Sequence, residues 1–174
     1  MKSFTEQAKW YADYHQKKAT LYMHMIGVPI LTLSLMILLG FIHVVIPGVL
    51  DIKFVDLIIL ALLAYYFRLN WLLALIMIPI FAFLLWIADL FNYAGPTPFA
   101  IWSFIVLFIL GCVLQLVGHL IEGKRPAFIE NLWQALIAPL FLLAEIFFMA
   151  GKMQTLKEEI YGKEPATISV NKEE

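Results

Sequence analysis

Four histidines, His15, His24, His43 and His119, are the residues best suited to chemistry in this chain. A neutral imidazole is the commonest metal ligand, and carboxylates often complete an iron or zinc shell. Gly111, Gln115, Gly118, His119 and Glu122 recur at steps of three and four, which puts them on one face of a helix. A lipid-facing stripe would not carry Gln, His and Glu, so this face points into a helical bundle. Its glycines let a neighbouring backbone approach closely. His119 and Glu122, at i and i+3, can both reach one ion; the plain alternative is a hydrogen-bonded polar patch at a helix end. His15 and His24 are nine residues apart. At about 100° per residue that spacing puts them on opposite faces of one straight helix. They can share an ion only if the chain turns between them or if helices pack on both sides. Tyr11, Tyr14 and Tyr22 surround them as in an aromatic interface belt, so two interfacial histidines is the alternative there. His43 has no polar companion in the sequence and is assigned to the opposite interface, and Asp89 is assigned a structural role.

The elements that must position these groups are membrane helices. Of 174 residues, 63% are hydrophobic and 14% charged, and the mean hydropathy is +0.87. An ordinary soluble domain carries roughly 25% charged residues. Too few polar residues remain to cover a soluble surface, which excludes a soluble globular enzyme and a disordered chain. The net charge of -1 provides no pull toward a polyanion, so no nucleic-acid partner is expected. A single cysteine, Cys112, excludes a disulfide framework and a four-cysteine zinc site. The expected fold class is all-α: a polytopic transmembrane helical bundle.

A spanning helix needs about 20 mostly apolar residues. The first candidate covers about 21–46; it is preceded by lysines but is too long for a signal peptide and has no cleavage site. The block 54–91 is interrupted by Arg68-Leu69-Asn70 and predicts a tight hairpin, with a short arm 54–67 and a long arm 71–91 kinked at Pro79. After the turn Asn92–Pro98, another span covers about 99–121. The last apolar stretch, 132–150, contains Gln134, Pro139 and Glu145. A carboxylate within a span costs on the order of 2.5–3.5 kcal/mol, so this segment is packed deep in the bundle or lies partly in the interface.

Basic residues gather in the N-terminal tail, at Arg68, at Lys124 and Arg125, and in the C-terminal lysines. Four spans put all of these on the cytoplasmic side with the N-terminus, whereas a fifth would carry the tail lysines across. The expectation is therefore four spans plus a fifth, partly inserted helix, with five spans as the alternative. Residues 1–150 form one membrane-embedded domain with an interfacial segment 1–20, and 151–174 form a charged cytoplasmic tail. His15, His24, His119 and Glu122 then arrive at one membrane depth on one side. Arg68, Lys124 and Arg125 are candidates for an acidic headgroup or a fatty carboxylate, although setting topology suffices to explain them. The dinucleotide, Walker, nucleophile-elbow and H-E-x-x-H motifs do not occur.

Two blocks carry a resemblance. One runs from Tyr14-His15 to His24-Met25-Ile26-Gly27-Val28-Pro29; the other is Gln115-Leu116-Val117-Gly118-His119-Leu120-Ile121-Glu122-Gly123-Lys124-Arg125-Pro126-Ala127-Phe128, followed by Pro139 and Glu145. The pair resembles the small membrane family typified by the fungal endoplasmic-reticulum 2-hydroxy fatty acid dioxygenase of phytosphingosine degradation. The resemblance implies iron(II)-dependent α-oxidation with O2, in which a 2-hydroxy fatty acid leaves one carbon shorter. It implies His15, His24 and His119 as iron ligands, with Glu122 at the family's acidic position. The family often has an asparagine where this chain has Thr20, which puts a hydrogen-bonding role at that position in doubt. On this reading Glu122 is a fourth ligand or a partner of one, Gln115 orients a ligand or the substrate hydroxyl, and Glu145 joins the surroundings of the ion if the last segment folds back. The rivals are a small transporter or channel, a haem protein with axial histidines, and a zinc-dependent lipid hydrolase. A bacterial inner membrane and an endoplasmic reticulum both fit the sequence.

Overall fold

The computed structural model describes residues 3–48, 50–124 and 133–162. Among them are seven helices and one two-stranded hairpin: α1 Phe4–Asp13, α2 Lys18–Gly40, β1 His43–Ile46, β2 Leu50–Lys53, α3 Phe54–Leu69, α4 Trp71–Asn92, α5 Pro98–Glu122, α6 Trp133–Met149 and α7 Gln154–Tyr161. Arg125, the Pro126–Asn131 part of the loop and the tail from Lys163 lie outside the described residues, as does the side chain of Gln134.

Short-range chemistry sets the ends of the helices. Ser3 and Glu6 form a reciprocal capping box that starts α1. Asn70 ends α3 and caps α4 by accepting from the Leu73 N–H, which makes the expected tight hairpin. Thr97 caps α5, with Pro98 in its first turn. Gly123, at φ 77°, ends α5 in the left-handed region directly after Glu122.

Among the described residues, three helices, α2, α4 and α5, are long and apolar enough to cross a membrane. The bent pair α6–α7, turned through 116°, raises the number to four if it counts as one span. Expected spans two to four correspond to α3, α4 and α5, but α3 has 16 residues. At about 1.5 Å per residue it falls short of a hydrocarbon core of about 30 Å. It nevertheless runs back beside α2, because Val55 near its start packs toward Gly40 at the end of α2.

α2 and α5 form the central antiparallel pair. A Cβ at Gly111 would meet the Leu31 backbone at 3.1 Å, and one at Gly27 would meet Leu114 at 3.0 Å. Glycine at these positions lets the two axes approach where bulkier residues would hold them apart. α6 threads the bundle: Leu140, Phe141 and Ala144 are fully buried, and Tyr66 of α3 donates to the Leu136 carbonyl at 2.6 Å.

Two expectations change at the opposite end of the bundle. The first span, expected over about 21–46, ends at Gly40, and 43–46 instead forms β1, antiparallel to β2 with His43 opposite Lys53. His43 does have a polar companion, since its Nδ1 lies 2.7 Å from Asp51 Oδ1 across this hairpin. Strand pairing, invisible in an eight-residue spacing, brings the two together. Asp89, assigned a structural role, forms an ion pair with Lys53 at 2.6 Å.

Candidate metal centre

α1 stops at Asp13 and α2 starts at Lys18, and the chain turns between them. That turn answers the nine-residue problem: His15 sits in it and His24 lies two helical turns further on. α5 runs antiparallel to α2 and delivers His119 near its own end. His15, His24 and His119 are all buried, and one ring nitrogen from each lies within 4.8 Å of the other two. The ring centroids of His15 and His24 are 4.5 Å apart, and those of His24 and His119 are 4.9 Å apart.

The backbone fixes how two of these rings present themselves. His15 Nδ1–H donates to the Tyr11 carbonyl at 2.7 Å, and His24 Nδ1–H donates to the Thr20 carbonyl at 2.9 Å. Each bond spans four residues and leaves Nε2 as the bare nitrogen. This is how carbonyl partners set the tautomer of ligating imidazoles. His15 Nε2 is buried and has no hydrogen-bond partner among the described residues. His24 Nε2 faces His119 Nε2 at 3.4 Å, while His119 Nδ1 is buried without a partner among the described residues. Burial lowers the His15 pKa from its ordinary value to about 4, so that imidazole is neutral at pH 7 and free to ligate. Tyr11, one turn earlier, stacks on it with centroids 4.1 Å apart and planes 7° apart. Three buried imidazoles, each with a nitrogen within 4.8 Å of the others, suit a divalent cation, and imidazole suits iron and zinc alike.

A reciprocal staple brings the turn to α5. Glu122 accepts from the Gln16 and Lys17 N–H groups, each at 3.1 Å, and Lys17 Nζ donates to the Ile121 carbonyl at 2.6 Å. Lys124 Nζ donates to the Asp13 carbonyl and lies 5.7 Å from the Tyr14 ring centroid. Thr20 Oγ1 donates to the Gly118 carbonyl at 3.2 Å, so the position where the family often has asparagine does have a hydrogen-bonding role.

A model of one protein family matches residues 1–150; its description is 2-hydroxy-palmitic acid dioxygenase Mpo1-like. The chain belongs to this family. No curated protein and no solved structure matches it.

Not every residue expected at the site of this Mpo1-like chain is there. The three histidines come together. Gln115 does too: it lines the same cavity, and its buried Nε2 has no partner among the described residues. Glu122 stands apart from the histidine group, with both oxygens engaged by the N–H groups that open α2. Glu145 is buried but accepts from Tyr161 Oη at 2.5 Å, on the side of α7. Arg68 is exposed at the end of α3, and neither it nor Lys124 lines the cavity. Tyr11 is a member of the site that composition assigned to an interface belt; its position four residues before His15 was the available signal.

Proposed function

We propose that this chain is a membrane-embedded, iron(II)-dependent dioxygenase that shortens 2-hydroxy fatty acids by one carbon, with its N-terminus cytoplasmic. The observation that carries this reading is the three-histidine group at the polar end of an apolar cavity, in a chain whose family description names a 2-hydroxy-palmitic acid dioxygenase. His15, His24 and His119 would hold the metal. Iron(II), when bound, would supply dioxygen activation and open positions for the substrate's hydroxyl and carboxylate, as in non-haem iron oxygenases generally.

The chain's own residues do the rest. The Tyr11 and Thr20 carbonyls hold the His15 and His24 tautomers so that no proton has to leave Nε2 when a cation arrives. The Gln115 amide N–H offers a hydrogen bond to a substrate oxygen, and a buried donor without a partner makes that bond more valuable. The apolar walls exclude water from the reacting carbons. With O2 as sole oxidant, the bond between carbons one and two breaks. Carbon two becomes the new carboxyl, carbon one leaves as carbon dioxide, and the remaining oxygen leaves as water. These four electrons balance one O2.

Clustering at one end of the antiparallel pair also disfavours a transporter, whose ionisable residues belong at mid-membrane depth. The test is anaerobic purification followed by metal analysis and an assay with a 2-hydroxy fatty acid under oxygen. Iron near one per chain, lost in His119→Ala together with activity, is the expected result. Iron far below that, unaffected by His119→Ala, would overturn it. Activity retained without oxygen would point to a zinc hydrolase, and sharp visible absorption bands to haem.

A further inference from the structure

The cavity at the histidines does not stop there. It has a volume of about 260 Å³ and continues along α2 and α3 as far as Leu39 and Val55. From His24 to Leu39 is fifteen residues of α2, or about 22 Å of helix. Its polar lining is concentrated at one end, where Tyr11, the three histidines and Gln115 lie; beyond Val28, Thr32 is the one hydroxyl among the described side chains that line it. Leu35 of α2 and Ile58 of α3 both line it and are 39% and 40% exposed, so the wall is open sideways between these helices, toward hydrocarbon.

The far end is built firmly. Met36 and Val55 are buried at 2% and 1% exposure. Just past them Asn92 Nδ2 donates to the Ile37 carbonyl at 2.9 Å and packs on Gly40, where an added Cβ would lie 4.0 Å from Val55. This contact pins the end of α2 against α4 and α3, so the end cannot recede easily.

We propose that this cavity is an acyl-chain channel entered from the bilayer, and that Met36, Leu39 and Val55 at its closed end set the length of chain accepted. The inference rests on the reading of the histidines as the site where the carboxylate end reacts. A linear ligand with one polar end and one apolar end matches a cavity with that same division. The depth then measures the ligand, because a chain too long for the closed end must push Met36 and Val55 out of place, while a shorter one leaves apolar wall without contacts.

The experiment uses the full chain in lipid nanodiscs and a homologous series of straight-chain 2-hydroxy fatty acids. Binding is read by native mass spectrometry, and product formation separately. Val55→Phe should move the optimum to a shorter acid and Met36→Ala to a longer one, with iron content unchanged. An optimum that stays put in both variants overturns the channel. If Val55→Phe does not fold, Met36→Ala decides by itself. Length-selective binding that shifts as described, without oxidation in the parent chain, upholds the channel while the oxygenase reading falls. Oxidation that persists with unshifted length profiles overturns the channel alone.

Discussion

Gly118 of α5 lies so close under the His24 ring that a Cβ there would stand 2.6 Å from its Cε1 and 2.7 Å from its Nδ1. Carbon atoms in good contact sit about 3.5–4.0 Å apart, so a methyl group at 118 must displace the ring. The ring is also tied by Nδ1 to the Thr20 carbonyl, and it cannot move without losing that bond. Gly118→Ala should therefore lower metal affinity by about 10- to 100-fold, the usual effect of losing a partner that orients a ligand. Metal titration of the purified variant checks this. Binding equal to the parent's would mean the ring has room the structure does not show.

The three site histidines should behave as a unit, and His43 should not. His15→Ala, His24→Ala and His119→Ala are each expected to abolish stoichiometric metal and activity. His43→Ala, on the exposed hairpin with Asp51, should keep both and change stability by less than about 1 kcal/mol. Metal content per chain, measured side by side for the four variants, is the check.

Glu122→Gln separates a ligand from a staple. The carboxylate accepts the N–H groups at the start of α2, where the helix dipole favours negative charge. Neutralising it should cost about 0.3–1 kcal/mol and loosen the turn that holds His15, leaving a metal-loaded protein with modestly weaker binding. Complete loss of metal in a folded Glu122→Gln would instead make Glu122 a direct ligand.

Gln115→Leu keeps the volume of the side chain and removes its amide. If the buried N–H meets the substrate, kcat/KM should fall roughly five-fold, the worth of one neutral hydrogen bond, while metal content stays constant. Unchanged kinetics would remove Gln115 from substrate recognition.

Metal removal offers a further check. A chelator should abolish activity, and iron(II) returned anaerobically should restore it. Zinc at the same three imidazoles should bind without restoring oxygen-dependent activity, because it has no accessible redox change. Equal rescue by zinc would refute the oxygenase chemistry.

The sequence by itself determined the class of molecule. Its shortage of charge and its long apolar runs leave helices in a bilayer as the only satisfied backbone. Periodicity also put Gly111, Gln115, Gly118 and His119 on one inward face of α5, where the structure has Gly111, Gly118 and His119 buried. The spacing of His15 and His24 stated a condition, a turn between them, but could not say that it was met. Only tertiary structure decided that, because the turn is held by Glu122, Ile121 and Lys124, residues far away in the chain that bond across to it. The same limit applies to Glu122 and to Glu145. Type and spacing made Glu122 a candidate for the ion and the resemblance put Glu145 in its surroundings, yet a carboxylate goes to whichever donors the packing presents. For Glu122 those are the N–H groups opening α2, and for Glu145 the Tyr161 hydroxyl. The cavity beyond the histidines was illegible for a related reason: a void is the space between helices, and no residue type encodes what a neighbour leaves empty.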